Sequence, residues 1–307
     1  MTDTAADRPQ STRAGVLIPF AIVVMIWGST WLVIRDQIAV VPASWSVSYR
    51  FLVAGIAMTI WSARRREPLR LDARGWAFAG VLGITQFVLN FNFVYRAEAY
   101  ITSGLVAVVF ALLLVPNAVF ARIFLGQKLG GQLIAGSAVA MAGVALLFVH
   151  EARSDPSGIG AAVSGIALTL CAVLSASIAN VMQGTETARR YPMAPMLAIG
   201  MLIGATINAA FAYATTGPPV VEWRWGYFVG ILYLGLFASA LAFTLYFRLI
   251  RTIGPAKAAY NGVIVPVVAM LLSTVFEGYR WSPLAVIGAT LAGVGLVIAL
   301  TARRPAR

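Results

Sequence analysis

Windows of about 20 residues without a charge recur along the whole 307-residue chain. That is the length a helix needs to cross a hydrocarbon core roughly 30 Å thick. A membrane barrel would show strands of about ten residues alternating apolar and polar, and no such alternation is present. Sixty per cent of the residues are apolar and 11% are charged. A water-soluble domain carries about 25% charged residues, so this chain has too little polar surface for one. The expected fold is an all-α membrane protein with spans near 15–34, 43–62, 75–96, 101–121, 130–149, 158–183, 193–214, 225–248, 255–276 and 282–301. Residues 1–14 read as a disordered tail. The apolar run after them is too long for a signal-peptide core.

The net charge of +12 suggests nucleic acid at first, but the basic residues sit at helix ends, where lipid headgroups and insertion account for them. With the N-terminus inside, 17 of them fall on inside segments: Arg8, Arg13, Arg64, Arg65, Arg66, Arg70, Arg74, Arg122, Lys128, Arg189, Arg190, Arg248, Arg251, Lys257, Arg303, Arg304 and Arg307. Arg35, Arg96, Arg153, Arg224 and Arg280, 5 in all, fall outside. Both termini are therefore expected in the cytoplasm, with the protein multi-pass in the inner membrane. Trp45, Trp61, Trp76, Trp223, Trp225 and Trp281 read as an interfacial belt. The lone cysteine, Cys171, reads as an inert core residue.

The chain repeats itself at an offset of 150. Pro42 falls on Pro192, Gly104 on Gly254 and Pro116 on Pro266, while Phe78, Gly80, Leu82, Phe87 and Phe93 fall on Phe228, Gly230, Leu232, Phe237 and Phe243. Leu and Ala matches arise by chance in so apolar a chain; the prolines, glycines and constant offset do not. Five spans per unit is odd, so the second unit (158–302) enters from the side opposite to the first (15–150). Inverted five-helix repeats are a transporter architecture with a site near the midplane.

Several side chains are candidates for that site. Arg50 is the one charge well inside a span, about seven residues into the second helix and roughly 10 Å deep at 1.5 Å per residue. Such an arginine costs about 2.5–3.5 kcal/mol to insert and must face protein or water. It either attracts a substrate carboxylate or ties helix ends together; both readings stand. Trp27 and Trp31 share one face of the first helix, Trp27 at mid-depth, where a belt tryptophan has no place. Gln86, Asn90 and Phe93, at i, i+4 and i+7 with Tyr95 nearby, form a polar face pointing to a wet cavity or to neighbouring helices. Ser177 and Asn180 on the sixth helix and Phe243 and Tyr246 on the eighth face the same way. Phe110 and its mate Tyr260 each precede a proline by six residues. Those prolines, Pro116 and Pro266, read as hinges, and the two aromatics as gates.

No carboxylate lies in mid-span, the only histidine (His150) sits at a helix end, and no nucleophile–base pair or metal-ligand set can be assembled. An enzyme, a metal and a cofactor are not expected. The one acid that could couple a proton is Glu98, between the third and fourth spans.

Ile26-Trp27-Gly28-Ser29-Thr30-Trp31, Tyr49-Arg50-Phe51-Leu52, Asn90-Phe91-Asn92-Phe93 through Ala97, Ser103-Gly104, Pro116 and Phe124-Leu125-Gly126 together resemble the EamA branch of the drug/metabolite transporter superfamily. The resemblance covers both repeats and is nearest to that branch's aromatic amino acid exporters. A Gly-Glu pair usually closes the fourth and ninth helices; here Gly126-Gln127 and Glu277-Gly278 stand there. The resemblance implies export of small neutral or zwitterionic metabolites, amino acids first, by a facilitative monomer. Proton-coupled export of cationic compounds, or a receptor or scaffold role, is the alternative.

Overall fold

The computed structural model describes residues 13–126, 130–154, 159–253, 258 and 261–300. Among these, every regular element is helical. Helix α1 is Arg13–Gln37 and α2 is Ala43–Arg64. Helix α3 runs as Ala73–Leu82, a π-helical stretch Gly83–Asn90, and Phe91–Ala97. Helix α4 runs as Ser103–Phe110, a 3₁₀ step Ala111–Leu113, and Leu114–Leu125. Next come α5 (Gly131–Ser154), α6 (Ile159–Met182), the short helical turn Glu186–Arg190, and α7 (Met193–Thr216). Helix α8 runs as Trp225–Leu232, a π stretch Tyr233–Leu241, and Ala242–Ile253. Asn261–Phe276 is α9 and Pro283–Leu300 is α10.

Among the described residues, six segments are long and apolar enough to cross a bilayer: Gly15–Gln37, Ala73–Ala97, Ser103–Leu125, Gly160–Met182, Met193–Thr216 and Trp225–Thr252. Shorter apolar stretches cover Ile134–Leu147, Ile264–Phe276 and Pro283–Gly295. Helix α2, at 22 residues, is slightly shorter than the six and more polar, with Ser44, Ser46, Ser48 and Arg50 all buried. Large apolar side chains cover the outside of the molecule, among them Leu17, Met25, Ile123, Phe124 and Phe276. Water would not tolerate so wide an apolar surface; lipid does.

Helix starts are set by local chemistry. Asp72 caps α3, its carboxylate accepting from Gly75 N at 2.8 Å. Pro42 and Pro192, both in extended backbone, precede α2 and α7. Gly126 ends α4 at φ +66, where a side chain would be strained. Helix pairs meet through small residues. A Cβ on Gly143 would lie 2.3 Å from Ala292 N, and one on Gly295 2.2 Å from Ala140 N, so α5 and α10 touch backbone to backbone. Helix α2 packs against α7, α1 against α8 and α9, and α6 against α3 and α4. The two π stretches begin 150 residues apart, at Gly83 and Tyr233.

Two expectations are corrected. Trp45 is 5% exposed and not at the surface; it stacks on Tyr49 at 5.7 Å and packs with Ala212 and Tyr227, because α7 and α8 cover that face of α2. Cys171 is exposed on the outside of α6, not in the core. The other five belt tryptophans are exposed.

Candidate functional site

A cavity of about 110 Å³ lies among α1, α2, α3, α4, α6, α8 and α9. Among the described residues, α5, α7 and α10 contribute none to its wall. Trp27, Thr30, Trp31 and Ile34 line it from α1, and Arg50 from α2. Gln86, Asn90, Phe91 and Val94 line it from α3, and Ala107, Phe110 and Asn117 from α4. Asn180 on α6, Phe243 and Tyr246 on α8, and Asn261 and Pro266 on α9 complete it. A neighbouring cavity of about 160 Å³ between α4, α9 and α10 shares Ala111, Gly262 and Pro266, but its wall is apolar save for Trp281.

The first cavity has an aromatic side. The Trp27 ring meets Phe243 at 5.4 Å and Tyr246 at 4.9 Å, edge to face, and its Nε1 donates to Ala238 O at 3.2 Å. One turn on along α1, Trp31 meets Phe110 at 5.8 Å.

Arg50 sits beside this aromatic surface, 1% exposed. Its Nε donates to Ser239 Oγ at 2.9 Å and its Nη1 reaches Tyr95 OH at 3.4 Å. The guanidinium carbon lies 4.3 Å from the centre of the Phe91 ring. Among the described residues no carboxylate pairs with it. It also lies 5.4 Å from the Phe51 ring centre; a buried cation held, among the described residues, by hydroxyls and ring faces keeps unsatisfied charge.

The rest of the wall is rich in unpartnered polar atoms. Trp31 Nε1, Gln86 Oε1, Asn90 Oδ1, Asn117 Oδ1 and both amide heteroatoms of Asn261 are buried without a protein partner among the described residues. All belong to lining residues. Buried polar groups are almost always paired, so such a cluster points to an interior built for polar guests. An amide turned over offers either a donor or an acceptor, so the wall suits both signs of partial charge.

Of the residues picked from sequence, Trp27, Trp31, Arg50, Gln86, Asn90, Phe110, Asn180, Phe243, Tyr246 and Pro266 meet at this cavity. Phe93 does not line it. A π turn takes in about one more residue than an α turn, so Gly83–Asn90 rotates the remainder of α3 and brings Phe91 and Val94 to the wall. Tyr95 is fully buried one layer back, where its hydroxyl holds Arg50. Ser177 is also buried, off the wall, with an unpartnered hydroxyl. Pro116 lies beside the lining residue Asn117, just after the 3₁₀ step in α4. Tyr260 lies outside the described residues. Sequence reasoning missed Thr30, Phe91, Asn117 and Asn261. The two asparagines were legible as lone amides in otherwise apolar helices.

The EamA-like transporter family matches the chain twice, over residues 15–149 and 163–301. The chain is similar to the protein PagO of Salmonella typhimurium, 24% identical over 95% of this chain and 94% of that one. It is 30% identical to the uncharacterized inner membrane transporter YedA of Escherichia coli, over 86% and 85% of the two chains. It is 25% identical to a probable terminal-alkyne amino-acid exporter of Streptantibioticus cattleyicolor, over 90% of each. A solved crystal structure superimposes with a TM-score of 0.69 at 19% identity, over 94% of this chain and 97% of that one, which shows a shared fold.

Proposed function

The chain belongs to the EamA-like transporter family, and from that premise we propose that it moves small zwitterionic or neutral metabolites, amino acids with aromatic or other apolar side chains first, across the inner membrane through the cavity at Arg50. One observation bears most of the weight: a buried guanidinium at the cavity wall with no carboxylate partner among the described residues. A solute carboxylate would supply that partner. The Trp27, Phe243 and Tyr246 faces suit an apolar side chain, and the unpartnered amide oxygens of Gln86 and Asn90 suit an ammonium group. The probable terminal-alkyne amino-acid exporter among the relatives supports the same substrate class. No acid is among the described lining residues, which weighs against a cationic cargo.

The carrier reading takes α1 to α10 as ten crossings, arranged as inverted units 15–150 and 158–302 with both termini in the cytoplasm. The matched π stretches and the reciprocal packing of α1 on α8 and α9, and of α6 on α3 and α4, support it. So does the excess of Lys and Arg on inside segments. In this arrangement Pro116 and Pro266 serve as hinges, and a monomer suffices because one chain builds the whole cavity. Flux follows the solute's own gradient. The test is uptake into proteoliposomes of a panel of labelled amino acids, with and without a pH gradient. Saturable uptake of apolar amino acids, with a plateau unmoved by the gradient, is expected. No movement of any amino acid overturns the substrate class, and accumulation driven by the gradient overturns facilitated transport.

A further inference from the structure

Just beyond the cavity's lining residues lies a polar network that the transport site does not use. Glu98, in the turn between α3 and α4, is 1% exposed. Ser103 Oγ, at the start of α4, lies 2.7 Å from Glu98 Oε2 and 2.9 Å from Glu277 Oε1, just past α9. Glu277 is also held by Arg35 Nε, near the end of α1, at 3.3 Å, and by the Ser273 hydroxyl. Each tie sits next to the cavity. Arg35 is adjacent to the lining residue Ile34, Glu98 is one turn beyond Val94, and Ser103 is one turn before Ala107. The network therefore joins α1, α3, α4 and α9 across one mouth, the outer mouth in the orientation proposed above.

Counting hydrogens assigns the charges. A serine hydroxyl has one hydrogen to donate, yet Ser103 Oγ is in hydrogen-bonding contact with two carboxyl groups. One of those carboxyls must bring its own proton. Glu277 has Arg35 and the Ser273 hydroxyl to stabilise its negative charge. Glu98 contacts neither of them directly, and its Oε1 is buried without a partner among the described residues. The consistent arrangement has the Glu98 acid donating to Ser103 Oγ, and Ser103 donating to Glu277. Burial, reinforced by the Glu277 charge, pushes the Glu98 carboxyl well above the usual carboxylate range against the opposing pull of Ser103 and Arg35. Among the described residues, the other ionisable group facing Glu98 is Tyr95, whose hydroxyl is engaged by Arg50.

We infer that Glu98 is a proton-binding site that latches this mouth: protonated, it bridges through Ser103 to Glu277 and holds the end closed; when it gives its proton to water at that face, two carboxylates are left sharing one hydroxyl and the end opens. The sign is set by the burial. The closed form binds the proton more tightly than an open, hydrated Glu98, so closure is favoured at low pH and lost as pH rises through the raised value. Between the ordinary carboxylate pKa and that value, the closed-to-open ratio falls by up to about tenfold per pH unit. Proton release and uptake on the same face sets the rate of opening without moving a proton across the membrane, in keeping with facilitated transport.

The test is a pair of spin labels at Tyr100→Cys and Phe276→Cys, both exposed positions flanking the network, in the full-length Cys171→Ser protein in nanodiscs without solute. Electron–electron distances are measured from pH 5 to 8. One short distance at low pH, giving way to a longer one as pH rises, is expected. Glu98→Gln, neutral at every pH and still a donor to Ser103, stays short throughout; Ser103→Ala, which deletes the bridge, stays long throughout. A parent protein unchanged from pH 5 to 8, a Glu98→Gln variant that still opens, or a Ser103→Ala variant that stays short overturns the latch. If Glu98→Gln fails to fold, the parent titration and Ser103→Ala decide. Because no solute is present, failure here leaves the transport reading untouched, and failure to move amino acids leaves the latch untouched.

Discussion

Replacing Arg50 by glutamine separates a substrate anchor from a structural tie. The guanidinium makes one good hydrogen bond, to Ser239 Oγ at 2.9 Å, and a long one, to Tyr95 OH at 3.4 Å. Ser239 keeps its own bond to Leu234 O at 2.8 Å whatever happens to Arg50. Removing the charge also removes an insertion cost of about 2.5–3.5 kcal/mol. The fold should therefore lose little, and the thermal midpoint of the variant should match or exceed the parent's. A solute carboxylate would lose a charge-assisted hydrogen bond worth about 1.5–3 kcal/mol, which is about 10- to 150-fold in affinity. The assay is counterflow in proteoliposomes of phenylalanine and of phenylalanine amide, which keeps the ring and ammonium but lacks the carboxylate. Arg50→Gln should cut the preference for the acid over the amide by about 10- to 150-fold. An equal loss for both solutes, together with a lowered thermal midpoint, would refute the anchor and make Arg50 a structural tie.

Trp27→Leu removes an indole face at the cavity wall on which a solute ring would stack, a contact worth about 0.5–1.5 kcal/mol; competition uptake should show phenylalanine affinity weakened by about 2- to 12-fold, with alanine much less affected. Gly143→Ala forces a Cβ onto the α10 backbone at 2.3 Å from Ala292 N, whereas Gly293→Ala meets nothing within 4 Å; thermal unfolding should show the first destabilised by about 1–3 kcal/mol and the second unchanged. The Tyr191 hydroxyl, then the Gly75 N–H, hold the Asp72 carboxyl below its usual range. Its contribution is thus present above the ordinary carboxylate pKa and lost as pH falls through the lowered one; Tyr191→Phe should move the Asp72 titration, tracked by carboxyl NMR, up toward the usual value.

The helices were legible because the bilayer imposes a length and an apolar composition that few other environments share. Helix α2 shows the limit: Ser44, Ser46, Ser48 and Arg50 lower its hydropathy because α7 and α8 cover it, and only its length and tryptophans mark it as a span. The cavity was half legible. Trp27, Arg50, Gln86 and Asn90 stand out as polar or bulky groups at depths where lipid tolerates neither. Phe93 stands off the wall because an α-helical wheel assumes a register that the π stretch at Gly83–Asn90 shifts, and nothing in a residue count announces that shift. Trp45 was misjudged for a different reason. A tryptophan near a helix end is the same letter whether it meets headgroups or Tyr227, and only tertiary packing decides. Glu98 was visible as an acid between two spans, but its partner Glu277 is 179 positions on, so the bridge through Ser103 exists only in the fold.

The most direct measurement of the transport claim is counterflow at a single pH. Proteoliposomes are loaded with unlabelled phenylalanine and diluted into trace labelled phenylalanine, with no ion gradient. A carrier that alternates around a site at Arg50 predicts a transient accumulation of label above its external concentration, abolished when phenylalanine amide replaces phenylalanine inside. No overshoot in liposomes that hold folded protein, or an overshoot of equal size with the amide, would contradict it.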